Sequence, residues 1–457
     1  MKKKNRKRRK AVNLDVLKQI RPNAAGIDIG DEEIWASVPE DRDQEPVRCF
    51  GTFTRDLHEL AHWLIQCGIE TVAMESTGIY WIPLFEMLEN NRIEVYLVNP
   101  NHVKNIAGKK DDIEDCQWLR QLHTYGLLRA SFVPEKNIRP VRELSRQRDM
   151  LIESRAQHIQ HMQKALHKMN LQLDNVITDI TGKTGMKILR AIIAGERNPK
   201  ILASYRDPNC KNNYETIEKS LEGFYHDEQV FSLKQAIDLY DYYGQLIRQC
   251  DRKIEEYLKK IPAKVNPDDK PLKPSMKKNS HCKNAPEFNL RSYLYNICGV
   301  DLTAIDGLNA STVFTVLSET GVDTSPWRTE KHFSSWLCLC PNNKISGGKV
   351  LSTRTRKSKS RANKALRQAA QSLHRSPSYL GAYYRRMRIR LGPAQAITAT
   401  ARKLACIIYL LLKEQKEYID FGEDYYLKKN REREIKKLTK KANALGFYIT
   451  PAVLPKK

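Results

Sequence analysis

The stretch Ala24-Ala25-Gly26-Ile27-Asp28-Ile29-Gly30 decides how the N-terminal part of this chain folds. Its mostly apolar run predicts a β-strand over 24–29, and the Gly30-Asp31 turn leads into a second strand over 34–38. A carboxylate within such a strand costs free energy unless it is paired or binds a cation. Strand alternation places Asp28 on the face opposite its two isoleucine neighbours. It is therefore a candidate functional residue, with a structural role as the alternative.

The elements that follow are typical of a mixed α/β domain. Further strands are predicted over 47–53, 71–74 and 95–98, and helices over 57–66, 82–88 and 112–125. The order is three strands, helix, strand, helix, strand, helix. This is the succession expected of an RNase H-like domain.

Three more acids lie where they can converge with Asp28. Glu75 follows the strand 71–74, and Asp112 and Asp115 are three residues apart in a helix and so share a face. Clustered oxygen ligands suit hard divalent cations such as Mg²⁺. Two such ions can activate a nucleophile and stabilise a leaving oxygen in phosphodiester chemistry.

The residues alone leave other interpretations of these acids open. Glu75 also suits the capping of a helix N-terminus, and the helical pair also suits a solvated helix start. Asp111 and Glu114 have the same spacing as Asp112 and Asp115, rotated by one residue.

The charge of the chain indicates a polyanionic partner. The formal net charge is +25 over 457 residues, and the stretch from Lys331 to Lys413 holds 18 Lys or Arg residues and no Asp or Glu. A solvated face normally mixes both signs, and phosphate neutralisation by Lys and Arg drives nucleic-acid affinity. The alternatives are a basic surface without a polyanionic partner and the binding of anionic lipid. The most apolar stretch, 394–412, is interrupted by Arg402 and Lys403, so no membrane span is predicted.

The cysteines and the N-terminus favour a cytoplasmic location. Ten cysteines without CxxC spacing indicate reduced thiols rather than a disulfide framework or a zinc site. The basic run over 2–10 is not followed by the apolar core of a secretion signal.

A serine-containing motif lies in the basic stretch, at Ile345-Ser346-Gly347-Gly348-Lys349. Two glycines leave the hydroxyl accessible and let a backbone approach a phosphate, and a positioned serine can attack a phosphodiester. From the residues alone a plain hairpin turn is favoured, and Ser334, Ser335, Ser352, Ser358 and Ser360 are rival hydroxyls. The candidate nucleic-acid-binding cations are Lys349, Arg354, Arg356, Lys357, Lys359, Arg361, Arg385 and Arg386.

Three motifs carry a resemblance to a known family. The stretches 25–30 (AGIDIG), 73–78 (AMESTG) and 112–119 (DIEDCQWL) resemble the N-terminal DEDD domain of one insertion-sequence transposase family. That family has a RuvC-like N-terminal domain, a C-terminal transposase domain with a serine, and a structured bridge RNA as guide. Similarity continues through 169–172, 194–197 and the C-terminal segments 384–387 and 396–401.

The resemblance implies a role for each motif. Asp28, Glu75, Asp112 and Asp115 would be the four acids, with Mg²⁺ as cofactor, and the register would exclude Asp111 and Glu114. Ser346 would be the nucleophile that forms a serine–DNA intermediate. The protein would be a cytoplasmic, nucleoid-associated transposase or recombinase that cuts and rejoins donor and target DNA. It would use a structured non-coding guide RNA and act as a homo-oligomer, a dimer or a tetramer.

Periodicity and composition divide the rest of the chain. Apolar residues at steps of three, four, seven and eight predict long coiled-coil or bundle helices over 144–173 and 233–261. They would form either a helical hairpin within one subunit or a dimer contact. Five prolines over 262–290 indicate a linker. The predicted division is a basic N-terminal arm (1–22), a RuvC-like domain (23–135), a helical segment (136–261), a linker (262–290), a mainly helical, serine-bearing transposase domain (291–425) and a basic C-terminal tail (426–457).

Two other functions were weighed against this prediction. A sugar-kinase or actin-like ATPase also begins with a strand-borne Asp and a glycine turn. Such an enzyme needs Gly-rich phosphate loops in addition to 347–348, and it does not explain the excess of basic residues. A catalytically inactive nucleic-acid-binding protein would explain the charge but not the four acids and Ser346.

Overall fold

The computed structural model describes residues 18–100, 112–266, 268–275 and 283–450. Residues 1–17 of the basic arm, Asp111, residue 267 and residues 276–282 of the proline-rich segment and residues 451–457 of the tail lie outside the described residues. The chain divides into two compact units, Met1–Val133 and Pro134–Lys457.

A five-stranded mixed sheet forms the centre of the first unit. Its strands are β1 (Ala24–Ile29), β2 (Glu33–Ser37), β3 (Val47–Gly51), β4 (Thr71–Glu75) and β5 (Glu94–Val98). They lie in the order β3-β2-β1-β4-β5, in which β1 pairs antiparallel with β2 and parallel with β4. The predicted strands are confirmed, with ends that differ by at most two residues.

Helices cover both faces of this sheet. They are α1 (Thr54–Gln66), α2 (Trp81–Asn90) and α3 (Asp112–Thr124). Leu57, Leu60 and Leu64 of α1 repeat at helical spacing and share one core with Ile27 and Met74 of the sheet. Leu119 and Leu122 of α3 instead pack with Ala73. Because side chains alternate along a strand, α3 covers the opposite face of the sheet from α1.

The second unit is mainly helical. Its helices are α4 (Arg139–Lys168), α5 (Leu173–Val176), α6 (Lys183–Ile193), α7 (Pro199–Ser204), α8 (Tyr214–Ser220), α9 (Asp227–Lys260), α10 (Leu290–Cys298), α11 (Ala310–Thr320), α12 (Glu330–Trp336), α13 (Arg361–Ser372), α14 (Tyr379–Leu391), α15 (Pro393–Glu414) and α16 (Gly422–Ala444). A two-stranded hairpin, β6 (Lys344–Ser346) and β7 (Lys349–Ser352), lies between α12 and α13.

The two long helices, α4 and α9, pack against each other within this unit. Arg148 of α4 bonds Asp251 of α9, whereas His158, further along α4, stacks on Tyr243, which is earlier in α9. The pairing is therefore antiparallel. Of the two arrangements left open by the sequence, the structure has the helical hairpin within one subunit.

The segment predicted as a linker, 262–290, does not separate two units. The carbonyl of Lys270 accepts a hydrogen bond from Tyr295 Oη at 3.1 Å, and the carbonyl of Asn284 accepts one from Arg148 at 2.9 Å. Proline removes backbone donors but leaves the carbonyl acceptors, and these tie the segment to α10 and α4. The division between the two units, at 133–134, lies close to the predicted end of the first domain at 135, and the rest of the predicted domain division stays a prediction.

One described helix, α15, is long and apolar enough to cross a membrane. Its apolar face, which includes Ala401, Leu404 and Ile408, is buried and packs on α12, α13 and α14. Tyr409 Oη donates to the carbonyl of Trp327 at 2.7 Å in the same core. We interpret α15 as a core helix of the second unit.

Candidate active site

Helix α3 approaches β1 closely because residue 26 is glycine. A Cβ added at Gly26 would lie 2.2 Å from the carbonyl oxygen of Cys116 and 2.3 Å from the amide nitrogen of Arg120. Any side chain here would push the helix off the sheet. Cys116 follows Asp112 by four residues and Asp115 by one, so the start of α3 comes to lie near the end of β1.

The strand register brings a second acid beside Asp28. Ile27 of β1 lies beside Met74 of the parallel strand β4, so Asp28 and Glu75 are the next residues on the two neighbouring strands. Ile27 and Met74 face α1, and alternation therefore directs Asp28 and Glu75 to the face that α3 covers. Glu75 is the last residue of β4, one position further into the strand than predicted.

The electrostatics of Asp28 show that three acids lie close together. Burial, followed by the charges of Asp112 and Asp115, raises the pKa of this half-buried carboxyl to about 6, against a hydrogen bond from the backbone of Ile29. Burial and the charge of Asp28 raise the pKa of the neighbouring Cys116 thiol to about 12. The thiol is therefore neutral, and the carboxylates are the charged groups at this corner of the sheet.

This corner has the donor chemistry for a hard cation but not a closed metal geometry. Within the described ranges, no three His, Cys, Asp or Glu side chains are grouped tightly enough to hold a metal ion. Like charges affect one another's pKa over several ångströms, whereas Mg²⁺ binds oxygens at about 2.1 Å. The two observations are therefore compatible: the acids share a neighbourhood, and they repel one another within it.

The face of α3 distinguishes between the two possible acid registers. Cys116 and Leu119 are buried towards the sheet, and Asp112 and Asp115 share that face at helical spacing. Asp112, Glu114 and Asp115 are all exposed, and the charges that raise the pKa of Asp28 are those of Asp112 and Asp115; Asp111 lies outside the described residues. This geometry favours Asp112 and Asp115.

Ser346 lies at a tight hairpin turn. Gly347 and Gly348 have φ angles of +54° and +75°, which suit the two central residues of a type I′ turn, and Ser346 pairs with Lys349 across it. All residues of 341–350 are exposed. The hairpin turn favoured by the sequence is confirmed, and it presents the Ser346 hydroxyl to solvent.

Most rival hydroxyls have structural roles. Ser334 is buried, with its Oγ 3.3 Å from the Cys340 thiol. Ser360 caps α13, where its hydroxyl accepts from the amide of Asn363. The hydroxyls of Ser352 and Ser358 likewise accept backbone N–H groups. Ser346 is therefore better placed than these four for reaction with an external group.

Two family models match separate segments of the chain. A family model described as a transposase, of the DEDD IS110 type, matches residues 25–171 and so includes all four acids. A second, described as a transposase of the IS116/IS110/IS902 family, matches residues 301–385 and includes Ser346. The chain carries the domains of an insertion-sequence transposase of the DEDD type. No curated protein matches the chain.

Three arginines predicted to bind nucleic acid have acidic partners within the chain, and their contact with nucleic acid stays a prediction. Arg361 pairs with Glu319 at 3.1 Å and with Asp149. In the same way, Arg385 pairs with Glu423 at 2.7 Å and Arg386 with Glu434 at 3.0 Å. The structure assigns these three to intramolecular ion pairs. Of the other five, Arg356 donates to the carbonyl of Ser335, and Lys349, Arg354, Lys357 and Lys359 are exposed.

The sequence analysis did not identify Glu319, which organises part of the second unit. This buried carboxylate bonds Arg142 and Arg146 of α4 and Arg361 of α13. Burial alone would raise its pKa, but the hydrogen bond from Arg146 and the charges of the three arginines lower it. The signal in the sequence was an acid that continues the apolar face of α11 after Val316.

Proposed function

We propose that the transposase cuts and rejoins DNA with acids from its first unit and a serine from its second. Asp28, Glu75, Asp112 and Asp115 would hold Mg²⁺, and Ser346 would attack the phosphodiester. The observation that carries the proposal is the raised pKa of Asp28 beside Asp112 and Asp115, within a segment that matches a DEDD transposase model.

The acids account for the need for a cation. Four carboxylates at one corner of a sheet repel one another when ionised, and partial burial increases the cost. Mg²⁺ bound there would neutralise this charge and polarise the oxygens of a phosphate group. Asp28 has the strongest requirement for a neutralising cation, because its carboxyl is half-buried and its pKa is raised. Glu75 and the helical pair complete an all-oxygen set.

The serine accounts for the rejoining of strands. Ser346 Oγ forms a bond to phosphorus while the bond from phosphorus to one deoxyribose oxygen breaks. The hydroxyl proton of Ser346 passes to solvent, and the released deoxyribose oxygen takes up a proton. The serine–DNA ester keeps the energy of the broken phosphodiester, so a DNA hydroxyl can reverse the step on a new strand. Exposed Lys349, which pairs with Ser346 across the turn, and exposed Arg354, at the other end of the hairpin, would attract the phosphate.

A structured guide RNA and a homo-oligomer, dimer or tetramer, complete the proposal. The exposed cations and the long helices α4 and α9 offer a surface of the kind that binds RNA by shape and backbone. Base pairing would then choose the target DNA.

Cleavage by acid variants tests the proposed function. Asp28→Asn, Glu75→Gln, Asp112→Asn and Asp115→Asn should each lower Mg²⁺-dependent strand cleavage by at least about a hundredfold, while DNA affinity stays within about threefold, because each removes a cation ligand and not a DNA contact. The matched control is Glu114→Gln, one residue before Asp115 and on a different face of α3, which should keep full cleavage. Equal loss in the control would contradict the assigned register, and unchanged cleavage in all four would contradict the site. Binding without cleavage by the unmodified protein would favour an inactive nucleic-acid-binding protein.

A further inference from the structure

The C-terminal helix α16 lies beyond both matched segments and takes no part in the proposed reaction. Of its 23 residues, only Tyr426 is buried. A long helix that is almost entirely solvent-exposed gains little from packing, so its surface chemistry is the feature to explain.

Two acids of α16 help to hold the helix to α14. Its contacts with α14 include Tyr426 against Tyr379 with ring centres 4.9 Å apart, Glu423 with Arg385 at 2.7 Å, and Glu434 with Arg386 at 3.0 Å. Glu423 thus neutralises an arginine of α14, and Glu434 is shared between Arg386 and Lys437 of its own helix, at 3.3 Å.

A second face of α16 carries four cations, Lys429, Arg433, Lys436 and Lys440, which we call the basic stripe. Their spacing of four, three and four residues places them in one row, about 16 Å long at 1.5 Å per residue. All four are exposed. Within the described residues none of them forms an ion pair, although Lys429 lies over the ring of Tyr425 at 5.3 Å.

The composition of the stripe is that of a phosphate-binding surface. A solvated helix face normally mixes both signs of charge. The row itself holds four cations; Glu432, three residues after Lys429 and four before Lys436, is the acid beside it, and Asp424 lies on another face. A straight row of about 16 Å corresponds to about five base pairs along one strand of a duplex at 3.4 Å per step. Only Tyr425, at one end, offers a ring for the stacking that single strands prefer.

We propose that the basic stripe binds the phosphate backbone of duplex DNA and does not read its sequence. The stripe belongs to the same compact unit as Ser346, so the bound duplex would be DNA that flanks the exchanged strands. Only the identity of the bound DNA rests on the proposed function. The binding itself requires neither the serine nor the acids.

Salt-dependent binding of duplex DNA tests the stripe in the full-length, nuclease-treated protein carrying Ser346→Ala. The variant Lys429→Gln, Arg433→Gln, Lys436→Gln and Lys440→Gln should weaken binding at least about tenfold, equally on unrelated sequences. The slope of log affinity against log salt should become shallower by about 3.6, since each of the four phosphate contacts contributes about 0.9. The matched control removes the same charge at Lys200, Lys211, Lys219 and Lys234, which are exposed on α7 to α9 and the loops between them.

The control should keep the original slope. A variant in which arginine replaces the three lysines of the basic stripe should have the original slope as well. An equal loss in the control would show a net-charge effect and overturn the proposal, as would an unchanged slope in the stripe variant. A loss confined to RNA, or a change in oligomeric mass with DNA affinity intact, would assign the stripe to another partner and also overturn it. Because no cleavage is measured, failure of the serine mechanism would leave these results unaffected.

Discussion

When Asp28 is ionised, it lowers the stability of the folded protein more than an ordinary exposed carboxylate does. It is half-buried at the end of β1, and its pKa rises to about 6 because burial and the charges of Asp112 and Asp115 all oppose ionisation. A destabilising charged residue of this kind is typical of functional sites, where its charge takes part in binding or catalysis. At the scale of the residue, the ionised acids of the proposed cation site therefore destabilise the folded protein, and a bound cation would offset this loss of stability.

Replacing this carboxyl should stabilise the cation-free protein. Because the folded-state pKa of Asp28 is above its ordinary value of 3.8, the folded state loses stability as pH rises from about 4 to about 6. Asp28→Asn should therefore raise the free energy of unfolding above pH 6 by about 1 to 3 kcal/mol, a range that allows for its partial exposure. The gain should vanish near pH 4. Chemical unfolding in chelator, followed across this pH range, measures it.

Asp43→Asn is the control of opposite sign. The pKa of Asp43 is lowered, mainly by a hydrogen bond from the Trp63 indole, so this variant should lose stability at neutral pH and approach the unmodified protein as pH falls. Added Mg²⁺ should then raise the melting temperature of the unmodified protein more than that of Asp28→Asn. The same pH profile in both variants would contradict the electrostatic account.

At the scale of elements, Glu319 joins α4, α11 and α13. Removing its charge leaves Arg142, Arg146 and Arg361 close together without their shared partner. Glu319→Gln should therefore lower the free energy of unfolding by about 3 to 5 kcal/mol. The control Glu143→Gln removes an exposed partner of Arg146 and should change it by less than about 0.5 kcal/mol. Equal effects in denaturant titrations would show that burial of Glu319 is not what matters.

The elements of the first unit follow from sequence more directly than those of the second. Short apolar runs and helical periodicity predicted β1 to β5 and α1 to α3, and the spacing of Asp112 and Asp115 predicted their shared face. The closeness of α3 to β1 depends on Gly26, whose neighbours are ninety residues away in the chain. Such a contact has no local pattern, so it could not be predicted.

The ion pairs of the second unit could not be predicted for the same reason. The stretch 331–413 holds no acids, but Glu319, Glu423 and Glu434 reach Arg361, Arg385 and Arg386 from outside it. Counting along the chain detects composition and not spatial pairing. The composition of the proline-rich segment likewise does not show that the carbonyl groups of Lys270 and Asn284 bond Tyr295 and Arg148.

At the scale of the whole molecule, a guide RNA is the part of the proposal that the protein does not contain. If base pairing selects the target, nuclease removal of all RNA should reduce recombination to background, and one defined, structured RNA added back should restore it. Sequencing of RNA that co-purifies with the transposase identifies this species. A control nuclease specific for DNA, removed before the assay, should have no effect. Recombination at full rate without RNA would contradict guidance.

The central claim joins the two units in one reaction: acids of the first enable the serine of the second to attack DNA. The most direct measurement is to trap the protein–DNA adduct on a nicked donor duplex and to map the modified peptide by mass spectrometry. The account predicts an adduct on Ser346, formed with Mg²⁺, lost in Ser346→Ala and in Asp28→Asn, and retained in the matched control Ser352→Ala. DNA joined to another residue, or normal recombination by Ser346→Ala, would contradict it.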